Sequence, residues 1–141
     1  MPEASPSPSA PEEPRLSLLL VEDHEATVVV MAKLLRRRGH TVVIARSCAE
    51  AVAAFSAQKF DCLISDLSLP DGSGHELMRT LRARSPITGI AVSGSGSEDD
   101  IRQALASGFA RHFTKPIDID RLQRALIELA AESRAPDGPV L

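Results

Sequence analysis

Aromatic residues are nearly absent from the chain, which has four Phe and neither Trp nor Tyr. Proteins that read single-stranded nucleic acid stack bases on such rings, so that class is disfavoured from the outset. Basic charge is not in excess either. Sixteen Lys and Arg stand against 19 Asp and Glu, a net charge of −3, so no surface built for a nucleic acid or an anionic membrane is expected. The two cysteines, Cys48 and Cys62, fit no metal-ligand spacing and no disulfide framework. Free thiols in a reducing, cytoplasmic setting are the expectation. No apolar run nears the ~18 residues of a membrane span, and MPEASPSPSAPEEP has neither the basic nor the apolar region of a signal peptide. With so few rings available, the core has to be Leu, Val, Ile and Ala.

What is present suits one soluble domain: 141 residues, 43% apolar and 25% charged. Residues 1–14 carry five of the ten prolines among Ser, Ala and Glu, and read as a disordered tail or linker. Residues 134–141 read likewise, leaving 15–133 as the folded part. Within it the hydrophobic period switches repeatedly. Leu16–Val21 is a continuous apolar run, as expected of a strand covered on both faces. Glu25–Arg38 has helical spacing, ends in three arginines that suit the helix dipole, and is followed by Gly39 at the C′ position. Short strands are expected over 41–45, 61–65, 87–93 and 110–113. Between them, Ser47-Cys-Ala-Glu50, Ser73-Gly-His-Glu76 and Ser97-Glu-Asp-Asp100 each open a helix, the first two as capping boxes. A last helix runs from about Asp118 to Ser133.

Five βα units in some 120 residues predict an α/β fold, with a doubly wound, five-stranded parallel sheet in the flavodoxin-like order 2-1-3-4-5. Ligands bind such sheets beyond the carboxyl ends of the strands. Those ends carry Glu22 and Asp23 after the first strand, Asp66 after the third, Ser93 as the last residue of the fourth, and Thr114-Lys115-Pro116 after the fifth. If the first and third strands are neighbours, three carboxylates converge and repel one another unless a cation lies among them. An all-oxygen donor set without His or Cys selects Mg²⁺. The adjacent acids of LLLVEDHE are tolerable because they are a metal site.

Taken together, ED after the first strand, the Asp of LISDLSLPDGSG, the Ser of GIAVSGSG and the KP of FTKPID resemble the receiver domain of two-component response regulators. DLSLPDGSG and GFARHFTKPIDIDRL are most similar to receivers of hybrid histidine kinases. The resemblance covers residues 15–133. It implies that Asp66 is a phosphoacceptor, with Ser93 contacting a phosphoryl oxygen and Lys115 pairing with the phosphoryl group. It implies Mg²⁺ held by Asp66, by Asp23 directly, by Glu22 through water and by the backbone carbonyl of Ser68. It also implies a cis bond before Pro116. A histidine kinase or histidine phosphotransfer protein is the implied partner, with homodimer formation on phosphorylation as a further association and no direct role for nucleic acid or membrane. Phosphorylation would switch the face built by the fourth helix, fifth strand and fifth helix. Such a domain is not an enzyme beyond catalysing its own phosphorylation and dephosphorylation.

His112 departs from the family, which places Tyr or Phe there as a rotor coupled to the hydroxyl residue. Either His112 performs the switch with Ser93, or it packs on the surface, and the second is the favoured expectation. His24 is expected at an exposed helix start, and His75 likewise. GSGSED lacks the third glycine of a dinucleotide fingerprint, and no Walker A motif occurs. Two rivals remain. An Asp-nucleophile, Mg²⁺-dependent phosphatase of the haloacid dehalogenase type would require a second Asp where Ser68 stands. An interaction module that had lost phosphorylation would be expected to lack Asp66, Asp23 or Lys115.

Overall fold

The computed structural model describes residues 13–134; the two tail expectations fall on residues that lie almost wholly outside this range. Five strands and five helices alternate: β1 (Ser17–Val21), α1 (Glu25–Arg37), β2 (Thr41–Ala45), α2 (Cys48–Ala57), β3 (Cys62–Asp66), α3 (Gly74–Arg82), β4 (Thr88–Ser93), α4 (Glu98–Ala106), β5 (Arg111–Thr114) and α5 (Ile119–Arg134). The strands form one parallel sheet in the order β2-β1-β3-β4-β5. This is the doubly wound arrangement read from the alternation of periods.

β1 shows why its sequence is a continuous apolar run. Successive side chains of a strand point to opposite faces, and both faces here are covered. Leu18 and Leu20 pack with Val28, Leu35, Leu122 and Leu126 of α1 and α5. Leu19 and Val21 pack with Ala51, Leu77, Leu81 and Ala104 of α2, α3 and α4. Every one of these residues is essentially excluded from solvent.

Ser47, Ser73 and Ser97 cap α2, α3 and α4, each hydroxyl accepting from the backbone N–H three residues on at 3.1 Å. α1 has no side-chain cap. Gly39, with φ of +96°, reverses the chain after it, in the left-handed region that glycine enters without a Cβ penalty.

Several element boundaries differ by a residue or two from the sequence reading. β3 and β5 each begin and end one residue later, so Asp66 is the last member of β3 and Thr114 of β5, while the Asp61 carboxylate accepts from Ser17 N–H at 2.7 Å. α3 stops at Arg82 rather than Arg84, where Arg84 and Ser85 N–H both turn back to Leu81 O. An antiparallel ribbon of two residues a side, Ser68–Leu69 with Gly72–Ser73, folds around Pro70-Asp71.

A buried polar chain ties the start of the domain to α5. Leu16 N–H donates to His40 Nδ1 at 3.1 Å, which fixes the ring proton on Nε2, and Nε2 lies 2.8 Å from Gln123 Oε1. The Gln123 amide then donates to Glu13 at 2.9 Å. Among the described residues no helix is long and apolar enough to cross a membrane.

Candidate functional site

The register of the sheet brings the predicted residues to one edge. Val21 of β1 lies opposite Ser65 of β3, so Glu22 and Asp66 leave adjacent strands in step. Asp66 lies opposite Val92, and Ser93 opposite Thr114. Glu22 N–H donates to Ala45 O at 3.0 Å and Lys115 N–H to Ser93 O at 2.8 Å, extending the ladder past the strand ends.

Glu22, Asp23 and Asp66 offer carboxylate oxygens that all lie within 4.8 Å of one another. Glu22 and Asp66 are buried and Asp23 is exposed. The Lys115 ammonium bridges the buried pair, 2.7 Å from Asp66 Oδ2 and 2.9 Å from Glu22 Oε1. Burial works to lower the Lys115 pKa, but its hydrogen bonds and charge contacts with Asp66 and Glu22 outweigh it, and the ammonium is held above its usual value. The other oxygens are also engaged: Asp66 Oδ1 accepts from Ser68 N–H and Glu22 Oε2 from His24 N–H, both at 3.0 Å. Lys115–Pro116 is a cis peptide bond.

The donor set tests well against a divalent cation. Three acids against one ammonium leave a formal charge of −2 at the site, the donors are hard oxygens, and among the described residues no His or Cys joins them.

Ser93 is not drawn into this cluster. Its hydroxyl donates to Ser95 O at 2.7 Å and lies 2.8 Å from His112 Nε2. His112 is half-buried, with its ring bonded to the Ser93 hydroxyl. His75 differs from the exposed position expected of it. It is half-buried, with Nδ1 3.0 Å from the buried Ser107 Oγ, and burial first, then Arg79, lowers its pKa. His24 lies exposed at the start of α1, as its position predicts.

The contacts of Asp71, in the loop after β3, and of Gly74, at the start of α3, escaped the sequence reading. Asp71 accepts from Cys48 N–H at 2.7 Å and Ala49 N–H at 3.0 Å, so the loop caps α2. Those backbone bonds hold its carboxyl below the usual range. Gly74 begins α3 against the main chain at the end of β3: a Cβ there would meet Asp66 O and lie 2.9 Å from Leu67 Cα. Both neighbours are backbone and cannot swing aside. Gly74→Ala should therefore lower unfolding free energy by about 1–3 kcal/mol in a urea melt, the usual range for overpacking. A loss near zero would mean that the loop moves freely away from the helix.

Comparison with known proteins agrees with this geometry. The family model described as the response regulator receiver domain matches residues 18–127. Virulence sensor protein BvgS of Bordetella bronchiseptica is 30% identical over 148 residues, covering 98% of this chain and 12% of that protein. Response regulator protein PilR of Pseudomonas aeruginosa is 34% identical over 124 residues, 87% of this chain and 28% of PilR. The chain thus spans a small part of the length of these two relatives. Among solved structures, the receiver domain of Ssk1, crystallised with the histidine phosphotransfer protein Ypd1 from Saccharomyces cerevisiae, superposes with a TM-score of 0.82 at 25% identity. The match covers 89% of this chain and 95% of that one. A model match over most of the folded residues, on a sheet with the acids and the lysine at its carboxyl edge, shows that the chain belongs to the response regulator receiver domain family of two-component signalling systems.

Proposed function

We propose that Asp66 is the residue phosphorylated in this receiver. The observation that carries this is the Lys115 ammonium joining Asp66 and Glu22 at the sheet edge. Paired with an ammonium, Asp66 attacks as a carboxylate and needs no general base. Attack on a phosphohistidine forms the P–O bond of an acyl phosphate as the P–N bond breaks, and the departing imidazole takes up a proton from water. The transition state is loose, with charge on the equatorial oxygens, so positioning and nearby cations supply most of the catalysis. Lys115 is already at the oxygen that would carry the phosphoryl group or lie beside it.

Mg²⁺ would be held by Asp23, Asp66 and the Ser68 carbonyl, with Glu22 acting through water. Bound there, the ion offsets the charge that gathers on the phosphoryl oxygens. The division between Asp23 and Glu22 is supported by their surroundings. Glu22 is buried with both oxygens already bonded, whereas Asp23 is exposed.

The phosphodonor is a histidine kinase or phosphotransfer protein that approaches over α1. A groove of about 570 Å³ runs from Lys115 along α1, lined by Ala26, Val30, Met31, Leu34 and Ile119 among others. Val29 and Val30 are more than half exposed. An apolar helix seated there would reach Asp66 past Lys115, and the Ssk1 receiver, which has the same fold, was crystallised with a phosphotransfer protein.

The test is mass spectrometry after incubation with acetyl phosphate and Mg²⁺. One phosphoryl group should appear on the parent and none on Asp66→Asn. Labelling of Asp66→Asn to the parent's extent would refute the assignment.

A further inference from the structure

Ser93 and His112 make a connection that the phosphorylation chemistry does not use. Residues 91 and 93 share one face of β4 by strand alternation, and His112 lies opposite Ala91 in the register. That geometry sets the imidazole against the Ser93 hydroxyl at 2.8 Å. A serine hydroxyl has one proton, and this one is donated to Ser95 O at 2.7 Å. Nε2 must then be the donor, its N–H pointing at Ser93 Oγ. Both the neutral Nε2–H tautomer and the imidazolium satisfy this.

Resting on the reading of Asp66 as phosphoacceptor, we infer that His112 is a positioning residue that holds the Ser93 hydroxyl away from the phosphoryl site until phosphorylation releases it. A Ser93 hydroxyl that contacts a phosphoryl oxygen must leave Ser95 O and give up the His112 bond. A Phe ring, which has no hydrogen-bonding atom, would impose no such requirement. His112 thus adds a bond that exists only in the resting arrangement, and an interaction confined to one state shifts the equilibrium towards it.

Three proteins decide this: the parent, His112→Phe with a ring but no donor, and His112→Gln with an amide donor. Initial rates of Asp66 labelling by acetyl phosphate are measured with Mg²⁺ at a single pH. His112→Phe should label about fivefold faster than the parent, the equivalent of one ordinary hydrogen bond, and His112→Gln should stay as slow as the parent. Equal rates for the parent and His112→Phe, or a His112→Gln as fast as His112→Phe, would overturn the inference. An independent readout needs no phosphorylation: ring ¹⁵N shifts should place the proton of neutral His112 on Nε2, and Ser93→Ala should remove that preference. A proton on Nδ1 in the parent overturns the inference even where labelling of Asp66 succeeds. Labelling that survives Asp66→Asn overturns the phosphoacceptor reading and leaves the ¹⁵N result to decide the bond by itself.

Discussion

Lys115→Met should lower the unfolding free energy by about 3 kcal/mol in the presence of EDTA, the lower end of the range for breaking a buried ion pair from one side. Asp66 and Glu22 side chains are 10% and 3% exposed, so their charges have little water to turn to once the ammonium is gone. Lys115 itself is 30% exposed, which argues for the lower end of the range rather than the upper. The double substitution Lys115→Met with Asp66→Asn should recover a large part of the loss, because one of the stranded charges has gone with its partner. Lys115→Arg is a stringent control: it keeps the charge but replaces a compact ammonium with a planar fork, and bridging two carboxylates on different strands is a different task for that shape. Urea melts of the four proteins in EDTA settle the point. A loss below about 0.5 kcal/mol for Lys115→Met would mean that the bridge behaves as a surface pair.

Metal addition should produce the second large effect. A ligand that binds only the folded state stabilises it by about 2.7 kcal/mol at a hundredfold excess over Kd. The parent should gain this much from saturating Mg²⁺, and Asp66→Asn less than half, since it has lost one anionic donor of three. Without metal the two proteins should differ little, by about 1 kcal/mol or less. Asp66 is attracted by Lys115 at 2.7 Å and repelled by Glu22 and Asp23 from within 4.8 Å. At an effective dielectric of about 20, one attraction and two such repulsions are each several kcal/mol and of opposite sign, so they nearly cancel. The Mg²⁺ response therefore discriminates where the apo stability does not. Melts of Asp66→Asn that move with Mg²⁺ as far as those of the parent would separate Asp66 from the cation site.

The legible parts of this protein were those written in local pattern. β1 announces burial on both faces through Leu18-Leu-Leu-Val21, and three serines announce three helix starts, each observed to cap as its spacing requires. The acids and Lys115 were found because strand ends could be placed and the fold puts strand ends together. What was missed is non-local or too short for a period. A ribbon with two residues on each side has no alternation to detect. His40 and Gln123 are 83 positions apart, and nothing near either residue signals the other. The same holds for Ser93 and His112, 19 apart, whose bond depends on β4 and β5 being neighbours in one particular register. Gly74 stood inside a recognised capping box, but its closeness to Asp66 O arises only when α3 folds back over the loop.

The Asp71 carboxylate, fastened to the first two amides of α2, ties the loop after β3 to a helix that does not follow it in the chain. Gly74 seats the same loop against the start of α3, and Leu67 N–H donates to Val92 O of β4 at 3.0 Å. The main chain that follows Asp66 is thus held from three directions. A carboxylate on so constrained a segment meets Lys115 in one geometry, with little chain entropy left to lose.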